Sequence, residues 1–136
     1  MDRDNLHLTL AFLGHLPAAR RDDAVAVAES IAAARFDLCL DRLGYWKHNR
    51  ILWAGGESAH LEALAGELAS RLRTAGFLLE SRPFAAHLTL LRDARCPAVP
   101  QLPEPVGWPV REFVLAESTA SPRGPVYRPV GRWPLG

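Results

Sequence analysis

The sequence predicts an α+β domain of two related lobes in which strands outnumber helices. Three observations predict it. The tetrapeptide His-Leu-Thr-Leu occurs twice, at residues 7–10 and 87–90, in a chain with only five histidines. Several short segments alternate apolar and polar residues at the strand period of two, and one segment repeats leucine at the 3, 4 and 7 spacings of a helix face. Two copies of one tetrapeptide, each in a strand-like segment with helix and strand elements between them, read as an internal duplication.

The elements follow in chain order. Asn5 to Leu13 (NLHLTLAFL) is rich in strand-compatible residues and stops at Gly14, so it reads as a buried strand. Arg20 to Ala34, with its alanines, Val25, Val27 and Ile31, favours a helix that Pro17 can start. Phe36 to Leu43 alternates at period two, and Arg50 to Ala54 follows the turn-prone Lys47-His48-Asn49; together they predict a hairpin. Leu61, Leu64, Ala65, Leu68 and Leu72 define the firmest helix, with Ser58 as N-cap and Gly76 as stop. Phe77 to Ser81 and Ala86 to Leu91 read as strands, and the proline-rich stretch from Cys96 to Pro109 as a loop. Val110 to Glu117 and Val126 to Trp133 complete the sheet, provided that Pro129 lies at an edge or bulge.

The 136 residues fit one domain, residues 1–136, and 49% hydrophobic with 23% charged residues is ordinary globular composition. A net charge of +1 excludes a strong non-specific nucleic-acid binder, so any RNA contact must be local. Lys47 is the one lysine among 16 basic residues. That bias suits bidentate phosphate recognition, although an Ala- and Arg-rich composition accounts for it equally. Cys39 and Cys96 form neither a C-x-x-C nor a regular framework, and neither a secretory leader nor a membrane span is evident. A monomer in a reducing cytoplasm is expected.

The repeated motif carries the chemistry. In a strand, residues i and i+2 share a face, so His7 with Thr9, and His87 with Thr89, oppose the leucines between them. Such a strand buries its leucine face, and its polar face needs partners; a shared, solvated cleft between the lobes supplies them. Two imidazoles across a cleft suit phosphoryl chemistry, one as base towards water and the other as acid towards a departing sugar oxygen. The hydroxyls of Thr9 and Thr89 would hold non-bridging oxygens, and Arg92, five residues after His87, is the nearest arginine able to stabilise developing charge.

From NLHLTLAFLG through DRLGYW, ILWAG, RPFAAHLTLLR and VREFVLAES to the closing Arg-Trp-Pro, nearly the whole chain resembles the two-histidine (2H) phosphoesterases, in particular their RNA 2′,3′-cyclic phosphodiesterase branch, also called 2′-5′ RNA ligases. The resemblance implies two pseudo-symmetric lobes whose antiparallel sheets line a central cleft, with helices outside. It implies no metal and no cofactor. His7 matches the general acid that protonates the 3′ oxygen, and His87 the base that activates water, leaving a 2′-phosphate; Thr9, Thr89 and Arg92 fall on phosphate-contacting positions. Relatives carry some forty residues ahead of the first motif, so an N-terminal strand and helix of the family pattern are expected to be missing here. Ala85 and Ala86 stand where relatives often have arginine and proline, which removes one phosphate contact of that pattern.

The remaining residues have bland readings. His15, His48 and His60 fit no metal-ligand spacing and are expected at the surface or in loops. Gly55-Gly56 reads as a turn rather than an anion cradle, and Trp53 as core. Tyr45 and Trp46, in a turn-prone stretch, are candidates for stacking on a base. The expected substrate is an RNA end or a small cyclic nucleotide, with no membrane partner. The alternative function is a nucleotide- or RNA-binding module of the same fold with weakened turnover.

Overall fold

Helix α2 (Ala59–Thr74) forms where the leucine spacing requires one, and it buries the predicted face: Leu61, Leu64, Ala65, Leu68 and Leu72. Each leucine so removed from water stabilises the fold by roughly 1.5–3 kcal/mol. The computed structural model describes residues 6–80, 84–122 and 124–136. Ser58 caps the helix, its Oγ accepting the Leu61 N–H at 3.1 Å. Gly76, at φ +93°, ends it, and the Phe77 N–H closes back on the Leu72 carbonyl at 3.0 Å. Helix α1 (Ala18–Ser30) starts at Pro17 as predicted but stops short of Ala34, because Ile31 turns to an extended conformation.

The strands are β1 (Phe36–Leu40), β2 (Arg42–Trp46), β3 (Ile51–Gly55), β4 (Leu88–Leu91), β5 (Val106–Val110), β6 (Glu112–Thr119) and β7 (Val126–Pro134). Among the described residues all strand pairings are antiparallel, in three short sheets: β1 with β5, β2-β3-β4, and β6 with β7. The main core lies where β1 (Phe36, Leu38, Leu40) meets α2, joined by Ala54, Phe113 and Leu135. A second cluster, Ala24, Val27, Leu72 and Phe77, holds α1 against α2.

Several elements differ from expectation, each for an identifiable reason. Residues 6–13 form no regular strand but a single antiparallel bridge, Leu8 to Leu88; Asn5 lies outside the described residues. The segment from Phe36 to Leu43 is two strands: the chain leaves the β1 ladder at Asp41, and β2, not β1, makes the hairpin with β3. β1 alternates in burial and β2 does not; in the sequence the apolar phase of Phe36, Leu38 and Leu40 is already lost at Arg42, a slip too short to mark a new strand. Residues 77–80 form no strand, because the Phe77 N–H is used in capping α2 and the ring packs in the core beneath Arg20, whose guanidinium lies 4.2 Å from its centroid; Ser81 is outside the described residues. The end of the proline-rich loop is strand β5, where Pro109 is tolerated because β5 pairs only with β1 and has an edge to spare. Pro129 sits beside the register shift at Leu115/Ala116, as a proline within a ladder must.

Gly55-Gly56 is neither turn nor anion cradle. Gly55 closes β3, and Gly56 is buried beneath the backbone of Cys39, where a Cβ would overlap the Cys39 carbonyl oxygen. The contact lets β1 cross closely over the end of β3. Gly56→Ala should therefore destabilise the protein by about 1–3 kcal/mol, read as a lowered urea midpoint at unchanged slope.

Candidate active site

The Leu8–Leu88 bridge joins the two copies of the motif. In an antiparallel pair its register sets His7 opposite Thr89 and Thr9 opposite His87. Leu8, Leu10, Leu88 and Leu90 all pack on the main core, so alternation turns His7, Thr9, His87 and Thr89 to the other face together. Diagonal neighbours in such a pairing stand about 7–8 Å apart, enough to seat one phosphate between two imidazoles. His7 and His87 are half-buried, Thr9 is exposed and Thr89 is 8% exposed. Neither threonine hydroxyl is engaged in a hydrogen bond among the described residues, which leaves both able to donate to a ligand.

His87 has a defined orientation. Its Nδ1 lies 3.0 Å from the carbonyl oxygen of Ala85. A carbonyl only accepts, so Nδ1 carries the proton and the neutral ring has its lone pair on Nε2. The ring also meets Trp46 edge-on, centroids 4.8 Å apart at 63°. Trp46 in turn packs on Trp53 at 5.6 Å. Trp53 faces Gly44 across the β2–β3 ladder and Thr89 across the β3–β4 ladder, and its indole lies flat over Gly44 and Gly55, where a Cβ on either would run into the ring. Its indole N–H is buried with no hydrogen-bond partner among the described residues. A register shift at Leu52/Trp53 bends β3 next to these residues, as bulges near sites commonly do.

On the other side, His7 packs against Tyr127 of β7, ring centroids 4.3 Å apart at 53°. Two cavities lie elsewhere: one of about 550 Å³ between α1 and α2, lined by Arg20, Asp23 and Arg71 among others, and one of about 310 Å³ behind the motif, at Leu6, Leu88 and Trp108. Neither is lined by His7 or His87. No group of three or more His, Cys, Asp or Glu among the described residues is placed to hold a metal, and no helix among them is long and apolar enough to cross a membrane.

The sequence profile of the 2′-5′ RNA ligase superfamily matches residues 1–121, nearly the whole chain and both motifs. The chain belongs to the 2′-5′ RNA ligase superfamily. Among its similar relatives, the RNA 2′,3′-cyclic phosphodiesterase of Escherichia coli is 39% identical over 97% of this chain and 77% of its own length. The RNA 2′,3′-cyclic phosphodiesterase of Thermus thermophilus is 34% identical over 96% of this chain and 72% of its own. The solved structure of E. coli LigT complexed with 3′-AMP matches at a TM-score of 0.89 and 37% identity, covering 97% of this chain and 78% of that one. The α+β fold with antiparallel sheets is therefore that of this superfamily.

Of the residues that sequence singles out, the superfamily fold brings His7, Thr9, His87, Thr89 and Trp46 together. Arg92 does not join that face within β4: it is exposed, one residue beyond the strand, with no ion pair among the described residues. Tyr45 and Trp46 both lie in β2 rather than in a turn; alternation sends Tyr45 away from Trp46, and its hydroxyl donates to the Ala94 carbonyl at 2.6 Å. Trp53, expected in the core, is half-buried outside both core clusters and supports Trp46 instead. His60 stacks on Phe36, His48 lies near Trp46, and His15 is exposed. Tyr127 is the residue that sequence reasoning missed, since a single tyrosine in an alternating strand carries no motif.

Gly44→Ala should displace the Trp53 indole and with it the Trp46–His87 contact, lowering stability by about 1–3 kcal/mol and altering the near-ultraviolet circular dichroism of the tryptophans. Gly107→Ala, with open space at its Cβ, is the control and should change neither.

Proposed function

We propose that this chain hydrolyses RNA 2′,3′-cyclic phosphate ends to 2′-phosphates by acid–base catalysis between His7 and His87, without a metal. The observation that carries this reading is the antiparallel bridge at Leu8 and Leu88, which turns two histidines and two threonines to one face. Relatives named RNA 2′,3′-cyclic phosphodiesterase, similar over most of the chain, support the substrate class.

In the proposed reaction His87 Nε2, left with the lone pair by the Nδ1 bond to Ala85, takes a proton from water as the water oxygen attacks phosphorus. The bond from phosphorus to the 3′ oxygen breaks, and protonated His7 delivers its proton to that oxygen. The hydroxyls of Thr9 and Thr89 donate to the non-bridging oxygens, where charge accumulates. Arg92, exposed just beyond β4 and without an ion pair among the described residues, would contact the same phosphate from outside the histidine–threonine face. Trp46, beside His87, offers the adjoining base an aromatic edge. The reading includes a monomer acting in the cytoplasm as one bilobal unit over residues 1–136; two free cysteines, Cys39 and Cys96, are in keeping with a reducing compartment.

Incubation with an oligonucleotide ending in a 2′,3′-cyclic phosphate should give a 2′-phosphate product, unchanged by EDTA, with a bell-shaped pH dependence from the coupled acid and base. His7→Ala and His87→Ala should each lower kcat/KM by roughly 10²–10⁴-fold. Wild-type rates in either variant would remove the mechanism. Tight binding of a 2′-phosphorylated nucleotide with no turnover would instead make the chain a binding module.

A further inference from the structure

Alternation alone would misplace Arg92. Continued as a strand, β4 would turn Arg92 to the side of Leu88 and Leu90, which pack on the core. Instead the chain bends at Arg92 and Asp93, and Arg92 is exposed. Asp93 stands at φ +53°, in the left-handed region. Glycine enters that region freely and aspartate is one of the few side chains that tolerate it, so the bend persists where its surroundings hold it.

The β2–β3 hairpin holds it, at Ala94. The Ala94 N–H donates to the Arg50 carbonyl at 2.9 Å, and the Ala94 carbonyl accepts from the Tyr45 hydroxyl at 2.6 Å. Arg50 also pairs with Asp93 at 3.0 Å, but both side chains are at least half exposed, and such pairs contribute little. Tyr45 and Ala94 are half-buried, and the tyrosine is fixed by its own ladder. Tyr45 stands opposite Leu52, and Leu52 opposite Leu91, in one row across the three strands. The hydroxyl thus ties the outer strand β2 to the chain just past β4, two residues beyond Arg92. Its neighbour Trp46 meets His87, so consecutive side chains of β2 serve the two ends of β4.

We infer that Tyr45 is a positioning residue that, through the Ala94 carbonyl, fixes the bend presenting Arg92 to the phosphate. The inference rests on the reading of Arg92 as a phosphate contact. Arg92→Ala should lower kcat/KM on an oligonucleotide ending in a 2′,3′-cyclic phosphate about 100-fold and weaken binding of a 2′-phosphorylated nucleotide. Tyr45→Phe, which removes only the hydroxyl, should lower kcat/KM and raise the Kd of that nucleotide each about 3–10-fold, the worth of one hydrogen bond. In the Arg92→Ala background the same Tyr45→Phe change should alter neither by more than about twofold, since the two residues act as one unit.

Wild-type rate and affinity in Tyr45→Phe, beside a loss in Arg92→Ala, overturn the inference. A Tyr45→Phe loss that persists in full in the Arg92→Ala background overturns it too, by making the hydroxyl a support of the fold at large. Wild-type rate and affinity in Arg92→Ala remove the reading of Arg92 as a phosphate contact, and the inference with it. A wild-type protein that binds the nucleotide with this coupling but turns over no cyclic phosphate refutes the hydrolase reading while leaving the positioning of Arg92 standing.

Discussion

The antiparallel bridge between Leu8 and Leu88 is the contact on which the site depends. Because side chains in extended backbone alternate, a slip of either segment by one residue in this register would turn its histidine against the core and its leucines out to solvent. The leucines prevent that. Leu8, Leu10, Leu88 and Leu90 pack on the main core, and exposing even two of them would cost several kcal/mol. The apolar half of each motif therefore enforces the geometry of its polar half, and no further device is needed to make both imidazoles face the same way.

Around that bridge the sheets act as brackets. The β2–β3 hairpin supplies an aromatic stack, Trp53 on two glycines and Trp46 on Trp53, that ends against His87. The β6–β7 hairpin brings Tyr127 to His7. The surface ion pairs matter less for stability, since exposed pairs each contribute at most about 1 kcal/mol. Their value is geometric, as where Glu117 links α1 to β7 through Arg21 and Arg128. Gly44 and Gly56 serve through the absence of a side chain: one admits an indole, the other a carbonyl.

Much of this was legible in the residues. The leucine spacing of α2, its Ser58 cap and its Gly76 stop reappear unchanged, because local chemistry decides them. The doubled motif pointed to one pair of segments, and the bridge at Leu8 and Leu88 brings those segments side by side. What was not legible is set by long-range packing. At the break between β1 and β2 the alternation slips by one residue, since Arg42 stands in the apolar phase and Leu43 out of it, but so short a slip does not define a new strand and the ladder partners disclose it. The single bridge where NLHLTLAFL suggested a strand depends on which edges lie nearby. Tyr45 and Trp46 have almost identical sequence contexts, yet one serves the Ala94 carbonyl and the other His87, a distinction that pleating makes and composition does not. Tyr127 gains its significance only from a ring 120 residues away in the chain.

That last separation, like the 80 residues between Leu8 and Leu88, bears on how the protein comes to be. Contacts so distant along the chain require closure of long loops and form slowly compared with a helix such as α2. A nascent or partly refolded molecule can hold its helices and hairpins and still have its two imidazoles apart. In the proposed mechanism, competence for catalysis is thus a property of the finished tertiary structure alone, and chemistry at the phosphate waits on the last long-range closure of the chain.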